Sequence, residues 1–213
     1  MLKTPRLKKF IKRRILKLNN IAQMLHWYKS GFSSPAPWSV KMRILKKYGL
    51  DRFWIESGTF LGTTAKYISK HCFKLYTIEP QKELYNNACQ ELSRISNIEL
   101  IEAKSEDVLE SIVQSIISIE RSPDITFWLD GHFSQGNTFK GAVDTPVLQE
   151  LQIIERLLPQ LGKVVVLVDD MRLFAKFNYV TEEYPPINSI VSWSESCGLK
   201  WIIEHDIFIA RNF

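Results

Sequence analysis

Acidic side chains follow two of the apolar segments in this 213-residue chain, and their placement suggests a cation site. Asp130 closes the segment DITFWLD, and Asp169 and Asp170 follow VVVLV. If these segments are neighbouring parallel strands, their carboxyl ends meet at one edge of the sheet. Three carboxylates there repel one another unless a cation lies between them, and their oxygens suit Mg²⁺ or another hard divalent ion. We therefore expect either a metal site or hydrogen-bonded carboxylates that cap loops.

His132 follows Asp130 closely and is a candidate catalytic base. An imidazole titrates near neutral pH, so His132 can take the proton of an attacking hydroxyl group. The alternative is a loop histidine that contacts a ligand or the backbone. Residues 131–144 form a long polar stretch with three glycines, which predicts a loop that closes over an acceptor. Without a metal, Asp130 or His132 has to act as the base.

The segment ESGTFLGTT at residues 56–64 has the character of a nucleotide-binding loop. Gly58 and Gly62 allow the backbone to turn sharply and to approach a ligand, and the helix that follows offers free N–H groups. Ser57 and Thr59 lie in the same segment. A dinucleotide-binding GxGxxG loop is a poor match, because positions 60 and 63 are Phe and Thr. A plain glycine turn is the alternative interpretation.

Further polar residues follow the second and third apolar segments. Glu79 ends KLYTIE, 23 residues beyond Glu56, and an acid at this place accepts hydrogen bonds from the hydroxyls of a ribose. Pro80 comes next and suits the first turn of a helix. Ser105 and Glu106 begin another helical segment, where they either cap the helix or contact an adenine ring.

Strand and helix patterns alternate along most of the chain and must position these residues. Alternation of this kind predicts βαβ units, parallel strand pairing and a sheet covered by helices on both faces. The run VVVLV fits a central strand buried on both sides. The predicted strands are 52–56, 74–79, 97–103, 124–130 and 163–169, and the predicted helices are 39–48, 63–70, 80–94, 106–118, 146–158 and 187–196.

The last two apolar segments, 199–205 and 206–212, adjoin with almost no connection. They can pair only as an antiparallel hairpin, because a parallel crossover needs a dozen or more residues. We therefore expect an α/β fold with a mostly parallel seven-stranded sheet, an antiparallel C-terminal strand and helices on both faces. The order of the strands is left open by the sequence.

Four motifs together resemble the class I S-adenosylmethionine-dependent methyltransferases over roughly residues 40–213: ESGTFLGTT, YTIEP, FWLDGHFS and VLVDDMR. The resemblance rests on their order and spacing. It implies a Rossmann-like methyltransferase fold and S-adenosylmethionine as the cofactor. The implied cofactor contacts are Glu56, Gly58 and Gly62 along the methionine portion, Glu79 at the ribose hydroxyls, and Ser105 or Glu106 near the adenine, with Ser57, Thr59 and Asp130 also among the cofactor-binding residues.

The acidic trio is similar to one in the macrocin O-methyltransferase-like, metal-dependent sugar methyltransferases, where a bound metal orients two substrate hydroxyls. This likeness implies that Asp130, Asp169 and Asp170 hold a divalent cation, which would lower the pKa of an acceptor hydroxyl. It also implies O-methylation of a sugar or another small hydroxylated acceptor, such as a glycan or glycolipid. The present LDGHFS departs from that group in the residues after Asp-Gly.

Positive charge is concentrated at the start of the chain. Residues 1–50 hold 13 of the 28 Lys and Arg and no acid, so the remainder carries 15 basic and 23 acidic residues. We expect no nucleic-acid partner, because this acidic remainder repels phosphate despite a sequence pI near 9.0. The three cysteines are scattered, and no signal peptide or membrane-spanning run is evident, which predicts a cytoplasmic protein.

The basic segment has the pattern of an amphipathic helix, with apolar residues at three- and four-residue steps from Leu7 to Leu25. A Ser-, Gly- and Pro-rich linker follows at 30–38, so we divide the chain into a basic segment, 1–34, and a methyltransferase domain, 35–213. We expect residues 1–28 either to contact an anionic membrane, at its inner surface, or to pack on the domain or on a second copy in a homo-oligomer.

Two other functions fit the same predicted fold. One is a different nucleoside-binding enzyme, such as an aminopropyl transferase or a nucleotide-sugar enzyme. The other is a non-catalytic domain anchored by its basic helix, against which the acidic residues at the strand ends argue.

Overall fold

The computed structural model describes residues 20–131, 145–174 and 184–213 of the chain. A helix covers residues 20–29 (α1), which includes the end of the predicted amphipathic helix, and the part of that prediction from Leu7 to residue 19 lies outside the described residues. The other helices are α2 (Trp38–Tyr48), α3 (Thr63–Ile68), α4 (Lys82–Leu92), α5 (Ser105–Ile119), α6 (Val147–Leu157) and α7 (Ile187–Ser196). Short 3₁₀ turns cover Leu158–Gln160 and Met171–Phe174. Each predicted helix is present, although α4 begins at Lys82 rather than at Pro80.

Seven strands form one sheet in the order β3-β2-β1-β4-β5-β7-β6. The strands are β1 (Phe53–Ser57), β2 (Lys74–Ile78), β3 (Ile98–Ile101), β4 (Ile125–Leu129), β5 (Val164–Val168), β6 (Lys200–Glu204) and β7 (Ile207–Arg211). The first five pair in parallel, and β7 is antiparallel to both β5 and β6. The predicted Rossmann-like fold, with its mostly parallel sheet and antiparallel C-terminal strand, is confirmed.

Strand β1 is the point at which the order of the sheet reverses. Its residue Phe53 lies beside Lys74 of β2 on one side and Ile125 of β4 on the other. The chain leaves β1 and β4 toward opposite edges of the sheet, which opens a crevice beyond their carboxyl ends. This is where ligands of open α/β sheets bind, and the predicted site residues follow these strands.

Each face of the sheet has its own apolar core. Phe53 and Ile55 belong to the core beneath α5, α6 and α7, whereas Trp54 belongs to the core beneath α2, α3 and α4. Because successive side chains of a strand point to opposite faces, Ser57 faces the first core and Glu56 the second. The last polar residues of each strand are thereby divided between two sides of the sheet.

The β6–β7 hairpin turns through His205 and Asp206, which have φ angles of 48° and 74°. Two left-handed residues in a two-residue loop match the twist of antiparallel strands. His205 also contacts the N-terminal part of the chain: its ring lies 5.0 Å from that of Trp27, which is buried. The end of α1 is therefore attached to the body beside this hairpin.

Within the three described ranges, no helix has both the length and the apolar character required to cross a bilayer.

Candidate functional site

The ends of β1, β4 and β5 lie side by side, which brings the predicted site residues to one level of the sheet. The Asp130 N–H donates to the Ser57 carbonyl at 3.1 Å, and the Asp169 N–H donates to the Leu129 carbonyl at 3.1 Å. The loops after these strands therefore begin in register. This geometry confirms the expected convergence of Asp130 and Asp169.

The loop after β1 packs directly on the loop after β4. Gly58 has a φ of 85°, and a Cβ atom there would lie 2.5 Å from the carbonyl oxygen of Asp130. Both the conformation and the close approach require glycine. The Gly58 and Thr59 N–H groups donate to the Ile78 carbonyl at 3.0 and 3.1 Å, which fixes the loop against β2 as well. Gly62, with a φ of 72°, precedes the first turn of α3.

Glu56 is fully buried in the crevice. Its Oε2 accepts a hydrogen bond of 2.5 Å from the Thr77 hydroxyl, which lies 2.6 Å from the hydroxyl of Thr59. Among the described residues, its Oε1 has no hydrogen-bond partner. Burial, followed by the charges of Asp130 and Glu79, raises the pKa of Glu56 to about 8, while Thr77 opposes the rise. Glu56 is thus a buried acid with one acceptor atom unused.

Glu79 is held rigidly at the end of β2. Its two oxygens accept hydrogen bonds from the backbone N–H groups of Phe60, at 2.8 Å, and Gln81, at 3.0 Å. Burial raises its pKa, and these two backbone donors oppose the rise. Each carboxylate oxygen has a second lone pair, so Glu79 can still accept hydrogen bonds from a ligand.

On the other face of the sheet, a second buried acid, Glu150 of α6, lies near the predicted residues Ser57 and Ser105. Burial raises the pKa of Glu150 to about 7, and the hydroxyls of Ser105 and Ser57 moderate the rise. Within the described ranges, Glu150 Oε1 and Ser57 Oγ lack hydrogen-bond partners. Ser105 is the first residue of α5 and does not cap it, because Lys104 occupies the N-cap position without a side-chain cap. Glu106 is half-buried in the same first turn.

The acidic trio is compact, and a lysine lies against it. Ligand oxygens of Asp130, Asp169 and Asp170 are all within 4.8 Å of one another. The Lys41 ammonium of α2 contacts Asp169 Oδ2 at 2.5 Å and Asp170 Oδ1 at 2.9 Å. Burial alone would lower the pKa of Lys41, but the two carboxylates raise it well above its ordinary value. Lys41 is therefore charged at neutral pH and offsets part of the repulsion.

A second cation, Arg172, contacts the same oxygen of Asp170 as Lys41. Its guanidinium lies 2.6 Å from Asp170 Oδ1 and also binds Asp206 Oδ2, and its backbone N–H donates to Asp206 Oδ1 at 2.7 Å. Asp170 has a φ of 58°, and its N–H donates to Asp169 Oδ1 at 2.8 Å. Lys41 therefore contacts both carboxylates of the Asp169–Asp170 pair, and Arg172 is a second cation on that of Asp170.

The trio fits a hard divalent ion in the chemistry and the spacing of its oxygens. The structure also shows another way to balance the same charges, since Lys41 already contacts two of the three carboxylates. A divalent ion bound by all three would have to displace the Lys41 ammonium. A divalent ion that used these oxygens would compete for them with Lys41.

His132 and the predicted covering loop, residues 132–144, lie outside the described residues, and the catalytic role of His132 stays a prediction. The described residues on either side of this loop line a small cavity beside Gly131. Its polar lining includes Thr145, Glu150 and Asp169. Its volume is about 10 Å³, which is space for about one water molecule, so the described residues alone do not form an acceptor pocket.

Sequence reasoning missed Lys41 and Glu150, although the periodicity contains a signal for both. Lys41 precedes the buried residue Leu45 by one helical turn, and Glu150 precedes Ile154 in the same way. Each is therefore a charged residue on the apolar stripe of an amphipathic helix. Such a position is unfavourable without a partner, which marks it as a candidate for a buried polar site.

No protein-family model matches the chain, and no curated protein matches it. Solved structures do. Precorrin-6y C5,15-methyltransferase from Geobacter metallireducens GS-15 aligns over 84% of this chain and 91% of its own, with 12% identity and a TM-score of 0.52. The YcgJ protein from Bacillus subtilis aligns over 77% of this chain and 70% of its own, with 13% identity and a TM-score of 0.51.

N-methyltransferase NodS from Bradyrhizobium japonicum WM9, in complex with S-adenosyl-L-homocysteine, aligns over 81% of this chain and 83% of its own, with 15% identity and a TM-score of 0.46. The first two similarities show the fold. The chemistry of the site has to come from its own residues.

Proposed function

We propose that the protein is an S-adenosylmethionine-dependent methyltransferase that methylates an oxygen of a sugar or another small hydroxylated acceptor. The observation that carries the proposal is the pair of buried acids, Glu56 and Glu79, on either side of the tight Gly58 loop. The loop brings backbone close to a ligand, and the acids supply acceptor atoms at the ends of β1 and β2. The sequence motifs that resemble class I methyltransferases contain all three residues.

The charge of the site also supports this cofactor. S-adenosylmethionine carries a sulfonium and an ammonium group, and Glu56 Oε1 is an acceptor that has no partner among the described residues. Glu79, fixed by two backbone donors, is placed to accept from ribose hydroxyls. When bound, the cofactor supplies an electrophilic methyl group, so the protein mainly has to align and deprotonate the acceptor.

Asp169, at the edge of the acidic trio, also lines the small cavity beside Gly131. We propose that Asp130 or His132 takes the proton of the acceptor hydroxyl. A divalent cation would be held by Asp130, Asp169 and Asp170 in place of Lys41, where it would lower the pKa of that hydroxyl. The assignment of a sugar acceptor rests on the resemblance of the trio to the metal-dependent sugar methyltransferases.

Cofactor binding is tested by calorimetry with S-adenosylhomocysteine. The wild type is expected to bind it saturably, and Gly58→Val and Glu79→Ala are expected to weaken binding strongly. Gly198→Val is a matched control, because Gly198 also has a positive φ, of 66°, but nothing lies near its Cβ position. Absence of binding to the wild type at millimolar ligand would refute the proposal.

Acceptor chemistry is tested by incubation with methyl-labelled cofactor and candidate sugars, with and without a chelator. Label on a sugar oxygen supports O-methylation. Activity that is lost with chelator and restored by Mg²⁺ or Mn²⁺ supports a metal at the trio. Full activity in excess chelator would instead indicate that Lys41, and not a metal ion, balances the charge of the trio. Label on nitrogen alone would contradict the proposed acceptor while leaving the cofactor assignment intact.

A further inference from the structure

Helix α1 carries apolar side chains that the described part of the chain does not cover. Ile21, Leu25 and Tyr28 follow one another at helical spacing, and their exposed fractions are 49%, 56% and 66%. Phe32, just beyond the helix, is 53% exposed. These four residues are called the uncovered face of α1. A contiguous exposed apolar face of this kind indicates an interaction surface.

The attachment of α1 to the body uses a different side of the helix. Trp27 is buried, packs on the ring of His205, and donates its indole N–H to the Ser33 carbonyl at 2.9 Å. Met24, one turn earlier, is half-buried and accepts a weak hydrogen bond from the Ser39 hydroxyl. The body therefore fixes α1 in place through one stripe and leaves the uncovered face outward.

The uncovered face follows the same helical periodicity as the apolar stripe in the basic sequence before it. Leu18 precedes Ile21 by three positions and Leu25 by seven, so all three belong to one side of an amphipathic pattern. At residues 20–29, where the structure describes the helix, this side does not pack on the domain. Of the residues that form this predicted stripe, the structure describes Ala22 and Leu25, and both are exposed.

Charge identifies the partner. Residues 1–50 contain 13 Lys and Arg and no Asp or Glu, so this end of the molecule is strongly positive. Pairing the uncovered faces of two copies would bring two such segments together without a counter-charge. An anionic lipid surface supplies that counter-charge, and tyrosine and phenylalanine are suited to the boundary between lipid and water.

We propose that the uncovered face of α1 docks on the surface of an anionic membrane, with the basic residues before it directed to the lipid headgroups. This is peripheral binding by an amphipathic helix, in which apolar side chains enter the acyl boundary and basic ones remain among the headgroups. The proposal does not depend on the reaction that the domain catalyses.

The test uses the full chain and sedimentation with vesicles. Binding is expected with vesicles of phosphatidylglycerol and phosphatidylcholine, to be absent with phosphatidylcholine alone, and to decline as salt is raised. The double variant Ile21→Ser, Leu25→Ser is expected to bind about tenfold more weakly or worse. Ile119→Ser is the matched control, because Ile119 is 70% exposed on α5, away from α1, and its variant should bind like the wild type.

Two results would overturn the proposal. Anionic vesicle binding that is unchanged in the double variant would show that the uncovered face is not the docking surface. No vesicle binding, together with a dimer in sedimentation velocity that the double variant dissociates, would assign the face to a second copy of the chain. Unaltered circular dichroism and thermal unfolding of the double variant ensure that lost binding is not lost folding.

Discussion

Replacing Glu150 by glutamine is expected to stabilise the protein above neutral pH. Glu150 is 1% exposed, and one of its oxygens has no partner among the described residues, so the charged form is poorly solvated. Its pKa is raised from 4.5 to about 7, and each pKa unit corresponds to about 1.4 kcal/mol. The folded wild type therefore loses about 3 kcal/mol of unfolding free energy as pH rises from below 4.5 to above 7.

The direction follows from which state holds the proton more tightly. The folded state binds the Glu150 proton more tightly than the unfolded state, so the stabilisation is complete below the unfolded pKa and is lost as pH passes the folded pKa. Glutamine has nearly the same shape and no charge to desolvate. The variant should consequently resemble the wild type near pH 4.5 and exceed its stability near pH 8.

Urea unfolding followed by tryptophan fluorescence at several values between pH 4.5 and 8.5 measures this difference. Other titrating groups are common to both proteins, so subtracting the two curves isolates Glu150. Glu155→Gln is the control, because Glu155 lies on the same helix in an exposed position and its variant should differ little from the wild type at any pH. If the difference in unfolding free energy between the wild type and Glu150→Gln does not change with pH, the interpretation of Glu150 as a buried acid with a raised pKa is refuted.

Three further outcomes are expected. Lys41→Met should tighten Mn²⁺ binding, measured by calorimetry, because it removes the ammonium that competes for Asp169 and Asp170; unchanged or weaker binding would argue against a cation site shared by lysine and metal. S-adenosylhomocysteine binding at pH 7 should release a proton, because the approaching ammonium group of the ligand lowers the raised pKa of Glu56. Calorimetry in buffers of different ionisation enthalpy measures this proton release, which should be absent in Glu56→Gln. Gly49→Ala should lower the free energy of unfolding by about 1–3 kcal/mol, because the added Cβ would lie 1.9 Å from the buried indole of Trp54. Urea unfolding that is the same in the variant and the wild type would contradict that contact.

The sequence predicted the strands and the positions of the strand-end residues because both follow from local patterns. Alternating strand and helix patterns required a parallel sheet, and the adjacent segments at the C-terminus required a hairpin. The convergence of Asp130 with Asp169 then followed from the rule that parallel strands end at one edge. The parallel pairing and the hairpin need no knowledge of the strand order, whereas the convergence also required β4 and β5 to be neighbours, which the sequence left open.

The partners of those residues could not be predicted in the same way. Lys41 reaches Asp169 from α2, which precedes β1 in the chain, and no local pattern specifies that approach. Glu150 likewise meets Ser57 and Ser105 only after α5 and α6 pack together. The structure also excludes the cap that was one of the two alternatives for Ser105, because the serine is the first residue of α5, near Glu150, and Lys104 occupies the N-cap position.

The link between Lys41 and the acidic pair also has a consequence for how the protein is made. The two ends of this ion pair are separated by 128 residues, so during synthesis the lysine leaves the ribosome long before its carboxylates exist. Until β5 has joined the sheet, α2 has no acidic partner at that position. The strand-end site is accordingly one of the last features to be completed on the nascent chain, and a fragment that stops before β5 would carry the glycine loop and Asp130 without the Lys41–Asp169 ion pair.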